Sequence, residues 1–145
     1  MKAISLWQPW ASGVALLHKG VETRGRPTNY HGPIAIHAAL RFGREQRAFA
    51  AVECSIGRLP TRLPLGAVVC IAFLHDCRPA MEVLPTIGPV EKLYVDYRPG
   101  RWAWRLRDVV PLLQPLPFKG KQGFFEVPDD LLRPLAPAWY ERAAA

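Results

Sequence analysis

The chain has 145 residues, 50% of them hydrophobic and 21% charged; that suits one buried core, and the expectation is a single domain over residues 1–145. Its 15 prolines and 11 glycines are scattered, which points to many short elements joined by turns and excludes a low-complexity tail. A net charge of +7 favours anionic partners such as nucleic acid without identifying one. Three cysteines, Cys54, Cys70 and Cys77, form no paired C-x-x-C spacing, which argues against a disulfide scaffold or zinc ribbon.

Met1 to Trp7 alternates loosely and reads as a first strand. Pro9 suits the first turn of a helix. Trp10, Val14 and Leu17 recur at helical spacing, giving a helix near Gln8 to Lys19 that buries those three side chains and ends at a left-handed cap on Gly20. Gln8 and Pro9 interrupt the apolar start, no small-residue cleavage pattern follows, and no run is long enough to span a bilayer; a cytoplasmic protein without membrane association is expected. In the next segment, Val21 to Arg24, strand alternation sends Glu22 and Arg24 to one face and Val21 and Thr23 to the other. Lys19 joins Glu22 and Arg24, so three charges of mixed sign converge. Such a trio suits a polar ligand or a proton transfer, and equally an internally paired ion cluster.

Gly25 to Asn29 is a basic turn, and Gly32 to Ala39 a strand with Ile34 and Ile36 on one face and Ala35 and His37 on the other. His37 is a candidate for the cleft of Glu22 or for a histidine satisfied by backbone. Arg41 to Ile56 carries Phe42, Phe49, Val52 and Ile56 at helix-compatible positions, giving a covering helix near Gly43 to Ile56. Ala67 to Leu74 is a buried central strand that stops at His75-Asp76. Cys77 to Pro89 is irregular, and Pro89 to Tyr97 has no readable period. In Arg101 to Arg107, Trp102, Trp104 and Leu106 share one face and three arginines the other, a pattern for a phosphate-binding stripe or a solvated outer surface. Phe118 to Gly123 reads as a basic hairpin, Phe124 to Val127 as a strand, and Pro128 to Leu132 as a short helix with an acidic first turn.

No phosphate-binding glycine loop, G-x-S-x-G elbow or paired zinc spacing is present, and Ser5, Ser12 and Ser55 show no nucleophile setting. No cofactor or metal is expected. Cys70, His75 and Cys77 lie close together without a fourth nearby ligand.

Three stretches carry a resemblance: Leu6 to Ala11 within Leu-Trp-Gln-Pro-Trp-Ala, Lys19 to Arg24 as Lys-Gly-Val-Glu-Thr-Arg, and Asn29 to Ala39. Together with Leu63 to Val69, Arg98 to Trp104 and Lys119 to Gly123, they resemble the ASCH domains of the PUA-like superfamily over nearly the whole chain. That resemblance implies an α+β fold, a PUA-like small mixed β-barrel with peripheral helices, and a cleft beside the Lys19 to Arg24 motif. It implies RNA or a modified nucleoside as partner. Trp7, Gln8, Lys19, Glu22, Arg24, His37 and Lys121 are the expected ligand-binding residues, with Lys19, Glu22 and Arg24 as the candidate catalytic set. Some bacterial members hydrolyse the amide of N4-acetylcytidine through a lysine, a threonine and a glutamate, and a ribonuclease activity is attributed to another. Lys19 matches that lysine, but Glu22 occupies the threonine position, Thr23 faces the other side of the strand, and Glu91 is the candidate glutamate. Binding without turnover is therefore favoured over hydrolysis; a protein-interaction module braced by the charged motif is the third alternative.

Overall fold

The computed structural model describes residues 1–137. Six strands form one mixed sheet: β1 (Lys2–Leu6), β2 (Val21–Arg24), β3 (Gly32–Ala38), β4 (Ala67–Pro79), β5 (Trp102–Pro117) and β6 (Phe125–Glu126). Their spatial order is β2-β5-β4-β3-β1-β6. β1 and β3 are parallel, and every other neighbouring pair is antiparallel. β4 is central as expected, but it runs on through His75 and Asp76 to Pro79, because β5 continues to pair with it. Three register shifts along this pair, and a left-handed Asp108 (φ 52°), bend the two long strands.

Among the described residues the sheet does not close into the expected small mixed β-barrel. β2 and β6 are the two edges and share no ladder. Side chains bridge the gap between the edges: Trp104, beside β2, stacks on Phe124, just before β6, with ring centroids 5.5 Å apart. β6 is two residues long and pairs with β1, so Phe118 to Gly123 is a crossing loop and not a hairpin.

Both faces of the sheet are covered. Ile4, Leu6, Ile34, Ile36, Leu74 and Trp104 pack with Ala11 and Val14 of α1 (Trp10–Ala15). On the other face Ala35, Val68, Ile71 and Phe125 pack with Val127 and with Leu132 of α5 (Asp129–Leu132). The rest is α2 (Arg44–Ser55), the short α3 (Ala80–Val83) and α4 (Pro89–Leu93), and single 3-10 turns at Leu84–Thr86 and Arg133–Leu135. No helix among the described residues is long and apolar enough to cross a membrane.

The two larger helices depart from the sequence pattern in instructive ways. α1 ends in a Schellman motif: His18 N–H reaches the Gly13 carbonyl at 2.8 Å and Leu17 N–H the Val14 carbonyl at 3.1 Å. The left-handed residue is Leu17 (φ 66°), not Gly20, so Leu17 is thrown outward and is 73% exposed instead of joining the core. In α2 the expected apolar positions Val52 and Ile56 face solvent, while Ala50 and Glu53 are buried. Glu53 is held there by Arg58, which donates three hydrogen bonds of 2.8 to 3.1 Å to its carboxylate. Phe49 then stacks on Trp10 and meets Tyr94 edge-on, fixing α2 over α1.

Candidate functional site

The unclosed seam between β2 and β6 is where the chemistry collects. One cleft, of about 890 Å³, has Arg24 and Arg26 on the β2 side, the Phe118 to Phe124 loop on the β6 side, and Ser5, Trp7 and His37 along it. A second, of about 860 Å³, continues past Trp7 and Arg24 to Lys19, Glu22, Glu45, Tyr94, Asp96 and Arg101. Ser5, Trp7, Arg24 and Arg26 line both.

In the second cleft the Schellman turn folds the chain after α1 back inward, so Lys19 is buried and its Nζ lies 2.8 Å from Glu22 Oε2. The lysine side chain is 1% exposed and the glutamate side chain 14%. This is a buried ion pair with one wet edge. The backbone N–H of the neighbouring Gly20 donates to Glu91 at 2.7 Å, so Glu91 stands behind the pair and lines neither cleft. Val21 and Thr23 are buried and Glu22 and Arg24 half-buried, as strand alternation predicts. Arg101 donates to the Thr23 carbonyl at 2.6 Å, tying the start of β5 to β2. Asp96 accepts three hydrogen bonds from the Arg98 guanidinium, which hold its carboxyl below the usual range.

Arg24 forms the ridge between the clefts, its guanidinium 5.2 Å from the Trp104 ring centroid. Trp104 Nε1–H donates to the Arg26 carbonyl at 3.0 Å, which fixes the ring behind the arginine. Burial lowers the pKa of Arg24; the nearby Glu22 carboxylate acts in the opposite direction. Trp7 stands at the mouth, 44% exposed, with Arg41 over its ring at 5.0 Å.

In the first cleft His37 is 2% exposed. Its Nε2 lies 2.7 Å from the Phe118 carbonyl and its Nδ1 2.9 Å from Ser5 Oγ. A carbonyl only accepts, so Nε2 carries the hydrogen, and in the neutral ring Nδ1 is the acceptor. Burial pushes the His37 pKa down, ahead of the opposing pull of the Phe118 carbonyl. Gly120 presses on this ring so closely that a Cβ there would lie 2.5 Å from His37 Cε1.

The residues expected at one site are thus divided. Lys19 and Glu22 line the second cleft, His37 and Lys121 the first, and Trp7 and Arg24 both. Gln8 lines neither: it is fully buried, its amide donates to Ser12 Oγ and the Pro64 carbonyl, and its oxygen accepts the Ser12 N–H. It serves to anchor the start of α1. The arginine stripe also dissolves, because Arg105 pairs with Asp76 at 3.3 Å and Arg107 sits over Phe73, leaving Arg101 alone at a cleft. Sequence reasoning missed Ser5, Arg26 and Phe124. The register that sets Ser5 beside His37, the Trp104 hydrogen bond to the Arg26 carbonyl, and the loop crossing that brings Phe124 to Trp104 place them there. Among the described residues no group of three or more His, Cys, Asp or Glu is placed to hold a metal ion.

The fold and its seam define a small α+β domain built on a curled, open mixed sheet with charged clefts at its edge. That fold is the fold of an ASCH domain. The crystal structure of ASCH from Zymomonas mobilis matches with a TM-score of 0.59 at 21% identity, covering 94% of this chain and 95% of that one. Crystal structures of two mutant forms of that protein match with TM-scores of 0.56 and 0.58, at 17% and 21% identity, over 94% of this chain and 98% and 96% of theirs. No protein-family model and no curated protein matches the sequence.

Proposed function

We infer that this domain recognises single-stranded RNA or a modified nucleoside in the paired clefts. The observation that carries the reading is that half-exposed Trp7 and half-buried Arg24 line both clefts, with cations at the rim of the first. Arg26, Lys119 and Lys121 line the first cleft and have no ion-pair partner among the described residues, which suits phosphate oxygens. Trp7, 44% exposed, and Phe124 offer aromatic surface to an unstacked base, and the wet edge of the Glu22 carboxylate offers an acceptor to a base edge.

The test is fluorescence anisotropy of a labelled single-stranded oligoribonucleotide across a salt series. Three phosphate contacts give a slope of roughly −2 in log affinity against log salt, about a 20-fold loss over a fourfold rise in salt. Lys121→Gln should weaken binding and flatten that slope by about one third, whereas Trp7→Ala should weaken binding and leave the slope unchanged. Absence of binding at low salt, to RNA and free nucleosides alike, refutes the reading. Nuclease-resistant capture of a protein partner in its place would favour an interaction module.

A further inference from the structure

We propose that Ser5 and His37 form a nucleophile–base pair that hydrolyses an acyl ester carried by an anionic molecule with an aromatic ring. Three independent features of the fold meet at this pair. β1 and β3 are parallel neighbours with Ser5 directly opposite His37, which sets the Oγ to Nδ1 distance at 2.9 Å. The Phe118 carbonyl accepts from Nε2 at 2.7 Å, fixing the tautomer whose Nδ1 lone pair faces the serine hydroxyl. Gly120 packs against the ring on a backbone with no room for a side chain, so the imidazole is held in place from the loop side as well. Nucleophile, base and base-orienting acceptor are therefore in line, with a backbone carbonyl in the role a carboxylate often fills.

Accessibility separates the two partners as the chemistry requires. His37 is buried, and its depressed pKa keeps it neutral and able to accept a proton at pH 7. Ser5 is only half-buried and lines both clefts. The cleft around it supplies the substrate class. Trp7 and Phe124 present aromatic surface, and Arg26, Lys119 and Lys121 present positive charge for an anionic group.

The reaction balances without any further reagent than water. Ser5 Oγ passes its proton to His37 Nδ1 and forms a bond to the acyl carbon. The tetrahedral alkoxide then collapses, the bond to the leaving alcohol breaks, and that oxygen takes the proton back from Nδ1. Water next attacks the acyl-serine as Nδ1 accepts its proton; the acid leaves, and Ser5 Oγ regains a hydrogen.

A fluorophosphonate probe and p-nitrophenyl acetate test this without reference to RNA, so failure of the binding reading and failure of this one are distinguishable. In the folded protein the probe should form one adduct, located on Ser5 by peptide mass spectrometry: Ser5 Oγ bonds to phosphorus, fluoride leaves, and the Ser5 hydroxyl proton passes to His37. Ser5→Ala should abolish both the adduct and ester turnover. His37→Gln, which keeps a donor for the Phe118 carbonyl, should slow both by at least about 100-fold. Circular dichroism checks the fold of each variant. The wild-type protein supplies a control that does not depend on how the variants fold: labelling of Ser5 must be faster in the native protein than in urea. No adduct on Ser5, equal rates in native and urea-unfolded protein, or undiminished labelling in a folded His37→Gln would overturn the proposal and leave the pair a structural hydrogen bond.

Discussion

Removing Glu22 should cost far more stability than removing Lys19, although the two make the same contact. Glu22→Leu strips the carboxylate from an ammonium that is 1% exposed and leaves Lys19 near a second cation, Arg24. An uncompensated buried charge of this kind costs about 3–5 kcal/mol. Lys19→Met leaves a carboxylate that is 14% exposed and still close enough to Arg24 to influence it. Water and the guanidinium share that charge, so the loss should be about 1–2 kcal/mol. For a domain of this size about 3 kcal/mol corresponds to a fall in melting temperature of roughly 10 °C. The double variant Lys19→Met/Glu22→Leu removes both charges while keeping side-chain volume, and should return to within about 1 kcal/mol of wild type. Urea unfolding of the four proteins closes the cycle and isolates the coupling. Glu22→Leu within about 1 kcal/mol of wild type, or a double variant as unstable as Glu22→Leu alone, would refute the buried-pair reasoning.

Leu17→Gly should stabilise the protein by roughly 1 kcal/mol, because a left-handed conformation costs a leucine that much and this one is 73% exposed. A lower melting temperature would show that contacts of the Leu17 side chain outweigh the cost of its left-handed backbone. The Glu53–Arg58 pair sets a pH dependence. The Arg58 hydrogen bonds hold the folded pKa of Glu53 below its unfolded value. Its contribution is thus fully present above the unfolded pKa of about 4.3 and is lost as pH falls through the folded value. Glu53→Gln should lower stability at pH 7 by about 2–3 kcal/mol and flatten the acid limb of a stability–pH curve; an unchanged acid limb would contradict the assignment.

Local patterns in the sequence located β1, β3, α2 and the charged face of β2, because alternation and helical spacing report on neighbours along the chain. They failed where tertiary contacts decided. Val52 and Ile56 match an amphipathic helix, yet Glu53 is the buried side chain, since Arg58, five residues on, neutralises it and Tyr94 and Phe49 pack beside it. Gly20 looks like the cap of α1, but the turn closes three residues earlier on Leu17, and that shift is what sinks Lys19. The candidate site was legible in half. Lys19, Glu22, Arg24 and Trp7 do meet around one cleft, because β2 and the turn before it hold three of them. Ser5 showed no nucleophile setting in the sequence, since a serine in a strand has no signature until the strand beside it, here β3 with His37, is known.

The division of the expected site between two clefts gives its cations different tasks. Lys19 is committed to Glu22, and Arg101 to the Thr23 carbonyl, so neither is free to take a ligand's charge without giving up an existing partner. Arg26, Lys119 and Lys121 are exposed at the rim, where added salt screens them, so for a polyanion they would serve encounter and general affinity. Arg24 differs from both groups. It faces both clefts, rests on Trp104, and is half-buried and so already partly stripped of water, which pushes its pKa down. An anion reaching Arg24 has less hydration to displace and meets a charge that salt screens weakly. On the RNA-recognition proposal, rim cations would therefore set how strongly the domain attracts polyanions in general, while the Arg24–Trp104 ridge, with the Lys19–Glu22 pair on one side and Ser5 on the other, would set which ligand stays.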